Sequence, residues 1–138
     1  MAGGCVAARL RLVNRLVTTL YDDALRPHGL RVSQMNILVA IAAEGPVRGV
    51  DVVNRLRLDA STLSRDLERM VDRGWVAASP GAGRARTLEA TPAGRALLAA
   101  VAPAWRAAQA EARALLTPAV AGGLSAVVDG LWAETAGE

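Results

Sequence analysis

Val6, Leu10, Val13, Val17, Leu20 and Ala24 recur at alternating steps of four and three. Only an α-helix puts that spacing on one face, so the chain opens with one long amphipathic helix. Leu12 and Leu16 form a second apolar stripe beside the first, and Arg9, Arg11 and Arg15 fill the remaining surface. Pro27 and Gly29 end the helix. Two apolar faces exceed what one small core can cover, and burial against a second chain is the natural outlet.

The rest of the chain packs with small side chains. Of 138 residues, 29 are Ala and none is Phe, a pool that favours helices over strands. No uninterrupted run of about 18 apolar residues occurs, so no membrane span is expected. Met1 to Cys5 lack the pattern of a secretory signal, which points to the cytoplasm. With one cysteine (Cys5) and one histidine (His28), neither an internal disulfide nor a metal site is expected, and no cofactor motif is present.

All 16 basic residues are Arg, against 13 acids. The stretch 48–95 holds nine arginines and six acids, whereas 96–138 holds two and four. The middle of the chain is therefore the basic part, which suits a polyanionic partner.

Turn and capping residues divide the chain beyond the first helix. Ser33 can cap a helix from Gln34 to Ala43, stopped by Gly45-Pro46. A short helix runs from about Gly49 to Leu56, and Leu58-Asp59 make a turn. Asp59 can cap the next helix, which buries Leu63, Leu67, Met70 and Val71 and ends at Gly74. Residues 75–79 and 85–90 read as two strands around the turn cluster Pro80-Gly81-Ala82-Gly83. Thr91-Pro92 and Thr117-Pro118 each start a helix, with Pro at the first helical position.

A short helix, a tight turn, a second helix and a hairpin make a winged helix-turn-helix. The fold expected is mainly α with a small β-hairpin wing, plus a helical dimerisation region. One domain covers 1–138, with dimerisation helices at about 4–26 and 92–134 around a winged helix-turn-helix at about 33–91. The helix after Asp59 exposes Ser61, Thr62, Ser64, Arg65 and Arg69. Small hydroxylic residues let a helix enter the major groove, and Arg can clamp guanine or phosphate. An ordinary capped helix with a solvated face would look similar; the hairpin behind it favours the duplex reading.

The stretch from Tyr21-Asp-Asp-Ala-Leu-Arg-Pro-His-Gly-Leu to Thr91-Pro-Ala-Gly-Arg-Ala-Leu-Leu resembles the MarR family of winged-helix regulators. Asp59-Ala-Ser-Thr-Leu-Ser-Arg-Asp-Leu and Asp72-Arg-Gly-Trp-Val are similar to its recognition helix and exit. Leu88-Glu-Ala-Thr91-x-x-Gly94 resembles its second wing strand and following helix, and Pro103-Ala-Trp105 through Gln109 a sub-branch of the family. The resemblance implies a homodimer on a palindromic double-stranded operator and repression relieved by a small-molecule effector. Arg84 and Arg86 of the wing join the duplex-contacting set, and Arg15, His28 and Trp105 are the candidates for the effector.

Two positions depart from the family pattern. Ala82 stands where the wing usually has an Asp that orients Arg84, and Arg57 stands in the inter-helix turn where Gly is common. Cys5 lies two residues before Ala7, the position that aligns with the reactive cysteine of the hydroperoxide sensors. A thiol-based redox sensor through Cys5 is thus an alternative, as is a winged helix that binds only protein. The protein-binding version would need apolar anchors on the face from Ser61 to Arg69. No nucleophile, phosphate-loop or metal-hydrolase motif points to an enzyme.

Overall fold

A computed structural model describes residues 4–80 and 85–136. Helix α1 (Val6–Leu25) runs into a 3-10 turn (Arg26–His28) closed by left-handed Gly29. Then come α2 (Val32–Glu44), β1 (Val47–Arg48), α3 (Gly49–Leu56), α4 (Ala60–Asp72), β2 (Val76–Ala78) and β3 (Thr87–Ala90). The last helical run, Pro92–Ala136, breaks at Thr117 (φ 69, ψ 152) into α5 (92–116) and α6 (118–136). Pro118 opens α6, where its missing N–H costs no helical hydrogen bond.

The strands form one antiparallel sheet in the order β1-β3-β2. Val76 pairs with Ala90 and Ala78 with Leu88, the expected hairpin, while Val47 pairs with Leu88 from the other side. Strand β1 has no signature in the sequence. Two residues carry no periodicity, and only pairing with distant β3 makes them a strand.

Helix α2 begins at Val32, not Gln34, and its N-cap is Arg31, not Ser33. Two acceptors account for the earlier start. Asp22 Oδ1, on α1, accepts the Val32 N–H at 2.8 Å, and Gln34 Oε1 accepts the Arg31 N–H at 3.1 Å. Asp59 does occupy the N-cap of α4, but its side chain makes no capping hydrogen bond. Thr91 caps α5 as expected: Gly94 N–H donates to its Oγ1 at 3.0 Å.

Three helical segments close with the same pair of backbone hydrogen bonds around a left-handed residue. Gly29 and Gly74 serve two of them, at φ 70 and 73. Arg57 serves the third, at φ 50, with Leu58 N–H on Val53 O and Arg57 N–H on Asn54 O. A side chain there crowds the following carbonyl, at about 1–2 kcal/mol, part of which Gly would lose again to unfolded-chain entropy. Arg57→Gly is expected to stabilise the protein by about 0.5–1 kcal/mol. Chemical denaturation at fixed protein concentration measures it; a loss of stability would contradict the account.

Two apolar clusters make the core. Ile37, Leu38, Ile41, Val52, Leu63, Met70, Val76 and Leu88 knit α2, α3, α4 and the sheet together. Leu25, Leu30, Met35 and Val101 join α1 and α5 to α2, with Trp105 packed against them. Trp75, Leu97 and Leu98 border both clusters, so the helical arm and the winged part share packing.

The helical run Pro92–Glu134 is long and apolar enough to cross a membrane by length and composition, its most apolar stretch of 18 residues having a mean hydropathy of 1.5. This corrects the expectation that no such segment exists. That expectation rested on an uninterrupted apolar run, whereas a window average tolerates single Thr, Ser, Gly and Pro residues among Ala, Val and Leu. The break at Thr117 falls within this helix.

Candidate nucleic-acid interface

Helix α4 carries the candidate interface, and its two sides differ sharply. Leu63, Leu67 and Met70 are buried against α2 and α3, which leaves the opposite side to solvent. Ser61, Ser64, Arg65 and Arg69 are exposed there, and Thr62 is half-buried at the edge. No large apolar residue of α4 is exposed, so the anchors a protein-binding version would need are absent from this face.

Among the described residues the ion pairs are Arg26–Asp23, Arg48–Asp51 and Arg55–Glu44. Arg65 and Arg69 therefore keep their guanidiniums unpaired and turned to solvent. Arg48 is held in its charged form by the hydrogen bond and charge of Asp51, which push its pKa up.

The wing is described only at its base. Arg84 lies outside the described residues, as do Gly81, Ala82 and Gly83. Arg86 donates from Nε to the Ser79 carbonyl at 2.9 Å, so its guanidinium braces the two hairpin arms. Ser79 adds a second brace, its Oγ accepting the Thr87 N–H at 2.9 Å.

Between the start of α2 and the flank of α4 lies a cleft of about 270 Å³, lined by Arg31, Ser33, Thr62, Arg65, Asp66 and Arg69. Thr62, Arg65 and Arg69 are the members that the sequence of α4 itself points to. Sequence reasoning misses Arg31 and Ser33, because only the crossing of two helices brings them to α4. It also misses Asp66, which is 8% exposed in the cleft.

The three effector candidates do not converge within one protomer. Tyr21 hydroxyl donates to Gln109 Oε1, which sets the antiparallel register of α1 on α5. Burial of Tyr21 pushes its pKa up, with Arg113 opposing. From that register Arg15 and Trp105 lie on opposite sides of the Tyr21–Gln109 contact, roughly 15 Å apart along the helices. Trp105 lines an apolar cavity of about 290 Å³ with Met35, Val39, Leu98 and Val101. His28 is half-buried in the 3-10 turn, and Cys5 is exposed before α1.

The geometry has counterparts among known proteins. A family model described as "MarR family" matches residues 28–85. A Bacillus subtilis protein, the uncharacterised HTH-type transcriptional regulator YwoH, is 31% identical over 62 residues, 45% of each chain. The match thus spans less than half of that relative. Solved structures match far more. A probable transcriptional regulator from Pseudomonas aeruginosa superposes with a TM-score of 0.80 at 26% identity, over 95% of this chain and 99% of that one. The M. tuberculosis regulator MosR, solved in complex with DNA, gives 0.75 at 31% identity, over 94% and 97%.

Proposed function

The chain belongs to the MarR family of transcriptional regulators, and on that premise we propose that it binds a palindromic double-stranded operator as a homodimer and represses transcription there. The observation that carries the proposal is the outward side of α4, polar and basic, with Arg65 and Arg69 unpaired among the described residues. A duplex supplies what that side lacks: acceptors on base edges and anionic oxygens beside them. The DNA complex of MosR supports a duplex as the partner.

In this reading residues 33–91 grip the duplex. Ser61, Thr62, Ser64, Arg65 and Arg69 enter the major groove, and Arg84 and Arg86 serve the wing. The helices at about 4–26 and 92–134 hold two copies together, so that half-sites lie about one helical turn apart. A small molecule bound near Arg15, His28 or Trp105 releases the operator. The Trp105 cavity supports an apolar portion on that ligand.

Selection of duplexes from a random pool, followed by salt titration of the winners, tests the proposal. A recurring palindrome is expected, with log affinity falling by about 0.9 per phosphate neutralised for each unit of log salt. Arg65→Ala should cost on the order of 1–3 kcal/mol and relax preference at one position of each half-site. Equal affinity for selected and random duplexes would overturn the reading.

A further inference from the structure

We propose that the cleft between α2 and α4 seats one phosphodiester group of the duplex backbone, with Arg31 at the N-cap of α2 and Ser33 in its first turn as its outer wall. The inference rests on the duplex reading above and adds contacts from a helix outside the helix-turn-helix. Thr62, Asp66 and Arg69 are spaced as one stripe along α4, facing the start of α2, and Arg65 flanks them. Arg31 and Ser33, both exposed, close the cleft from the other side.

The chemistry selects the ligand. Three guanidiniums converge on about 270 Å³, and among the described residues none of them has a salt-bridge partner. Together with the single carboxylate of Asp66 they leave the cleft net positive, which favours an anion there. The side-chain donors are guanidinium forks and two hydroxyls, a set that matches the non-bridging oxygens of a phosphodiester. A base edge fits worse, because the cleft opens at the border of the exposed face of α4: Arg65 and Arg69 belong to both, but Arg31 and Ser33 lie off that face. A strand whose groove admits α4 carries its backbone along that flank.

Asp66 is the informative exception. Asp66 is 8% exposed as a residue and makes no hydrogen bond or ion pair among the described residues, and its carboxylate reaches the solvent of the cleft it lines. It offsets one of the three positive charges. A phosphate seated there feels net attraction weaker than three arginines alone would give. Asp66 thereby restrains binding to duplexes of any sequence and leaves discrimination to the base-facing residues.

The test uses the full-length protein, the selected operator and a scrambled duplex of equal length, with anisotropy titrations at several salt concentrations. Arg31→Ala is expected to weaken both duplexes by a similar factor, roughly fivefold to tenfold, and to lower the salt slope by about 0.9 for each phosphate given up. Arg31→Lys should restore the slope, because the charge returns, but not the full affinity, because the fork is gone. Asp66→Asn, which keeps the shape, should tighten both duplexes together. A loss confined to the operator would make Arg31 a base reader and overturn the seat. So would indifference of both duplexes to Arg31→Ala and Asp66→Asn while the wild type binds. Failure of the wild type to bind either duplex would instead sink the regulatory reading itself.

Discussion

Replacing Gly94 by Ala is expected to destabilise the protein by about 3 kcal/mol or more, although Ala is the better helix former by about 1 kcal/mol. A Cβ at position 94 would stand 2.2 Å from the carbonyl oxygen of Trp75 and 3.0 Å from its carbonyl carbon. Both are backbone atoms, so no side chain can swing away. The strand entrance or the first turn of α5 would have to move. Either motion strains one joint. Trp75 O accepts the Thr91 N–H at 3.1 Å, Thr91 Oγ1 donates to Gly74 O at 2.5 Å, and Gly94 N–H donates to Thr91 Oγ1 at 3.0 Å. The same joint passes the wing into the long helix, so the variant should also lose affinity for the operator. Gly123→Ala is the control. It sits in α6 with nothing within 4 Å of a new Cβ, and should gain up to about 1 kcal/mol. Equilibrium unfolding of both variants decides the matter; a Gly94→Ala protein as stable as wild type would contradict the close approach.

Gly94 also marks the limit of what the sequence makes legible. Its place in Thr91-x-x-Gly94 is visible as a pattern, but the reason for it lies 19 residues upstream, in the backbone of Trp75. Features set by local chemistry can be read directly. The α1 stripe, the Thr91 cap and the pairing of two strands around a turn cluster are all of this kind. Features set by an acceptor or a partner from elsewhere cannot. Helix α2 starts early because Asp22 reaches across from α1, and β1 exists because β3 lies beside it. The candidate interface divides along the same line. The exposed side of α4 follows from its own periodicity, whereas Arg31 and Ser33 join it only through the crossing of α2 over α4.

Leu12→Glu combined with Leu16→Glu is expected to turn a homodimer into monomers and to remove most of the operator affinity. Leu12 and Leu16 are 59% and 51% exposed in the single protomer, one helical turn apart on α1. Leu10 on the neighbouring stripe is 53% exposed, and Leu124, Val127, Val128 and Leu131 of α6 are exposed to between 38% and 63%. Apolar surface on both ends of the chain, outside either core cluster, is what a second copy would bury. In a two-fold dimer each residue counts twice, so the double variant removes four leucines from the interface. At about 1.5–3 kcal/mol for each buried leucine, the loss is about 6 kcal/mol or more, over four powers of ten in dimer affinity. Four buried carboxylates add their desolvation penalty to it. The winged part should remain folded, because neither residue belongs to its core. Sedimentation would then report a species near the chain mass of 14.3 kDa. Operator binding should drop by about 10²–10⁴, because each half-site is gripped alone once the two lobes are no longer linked. A double variant that still sediments as a dimer would place the interface elsewhere on the molecule.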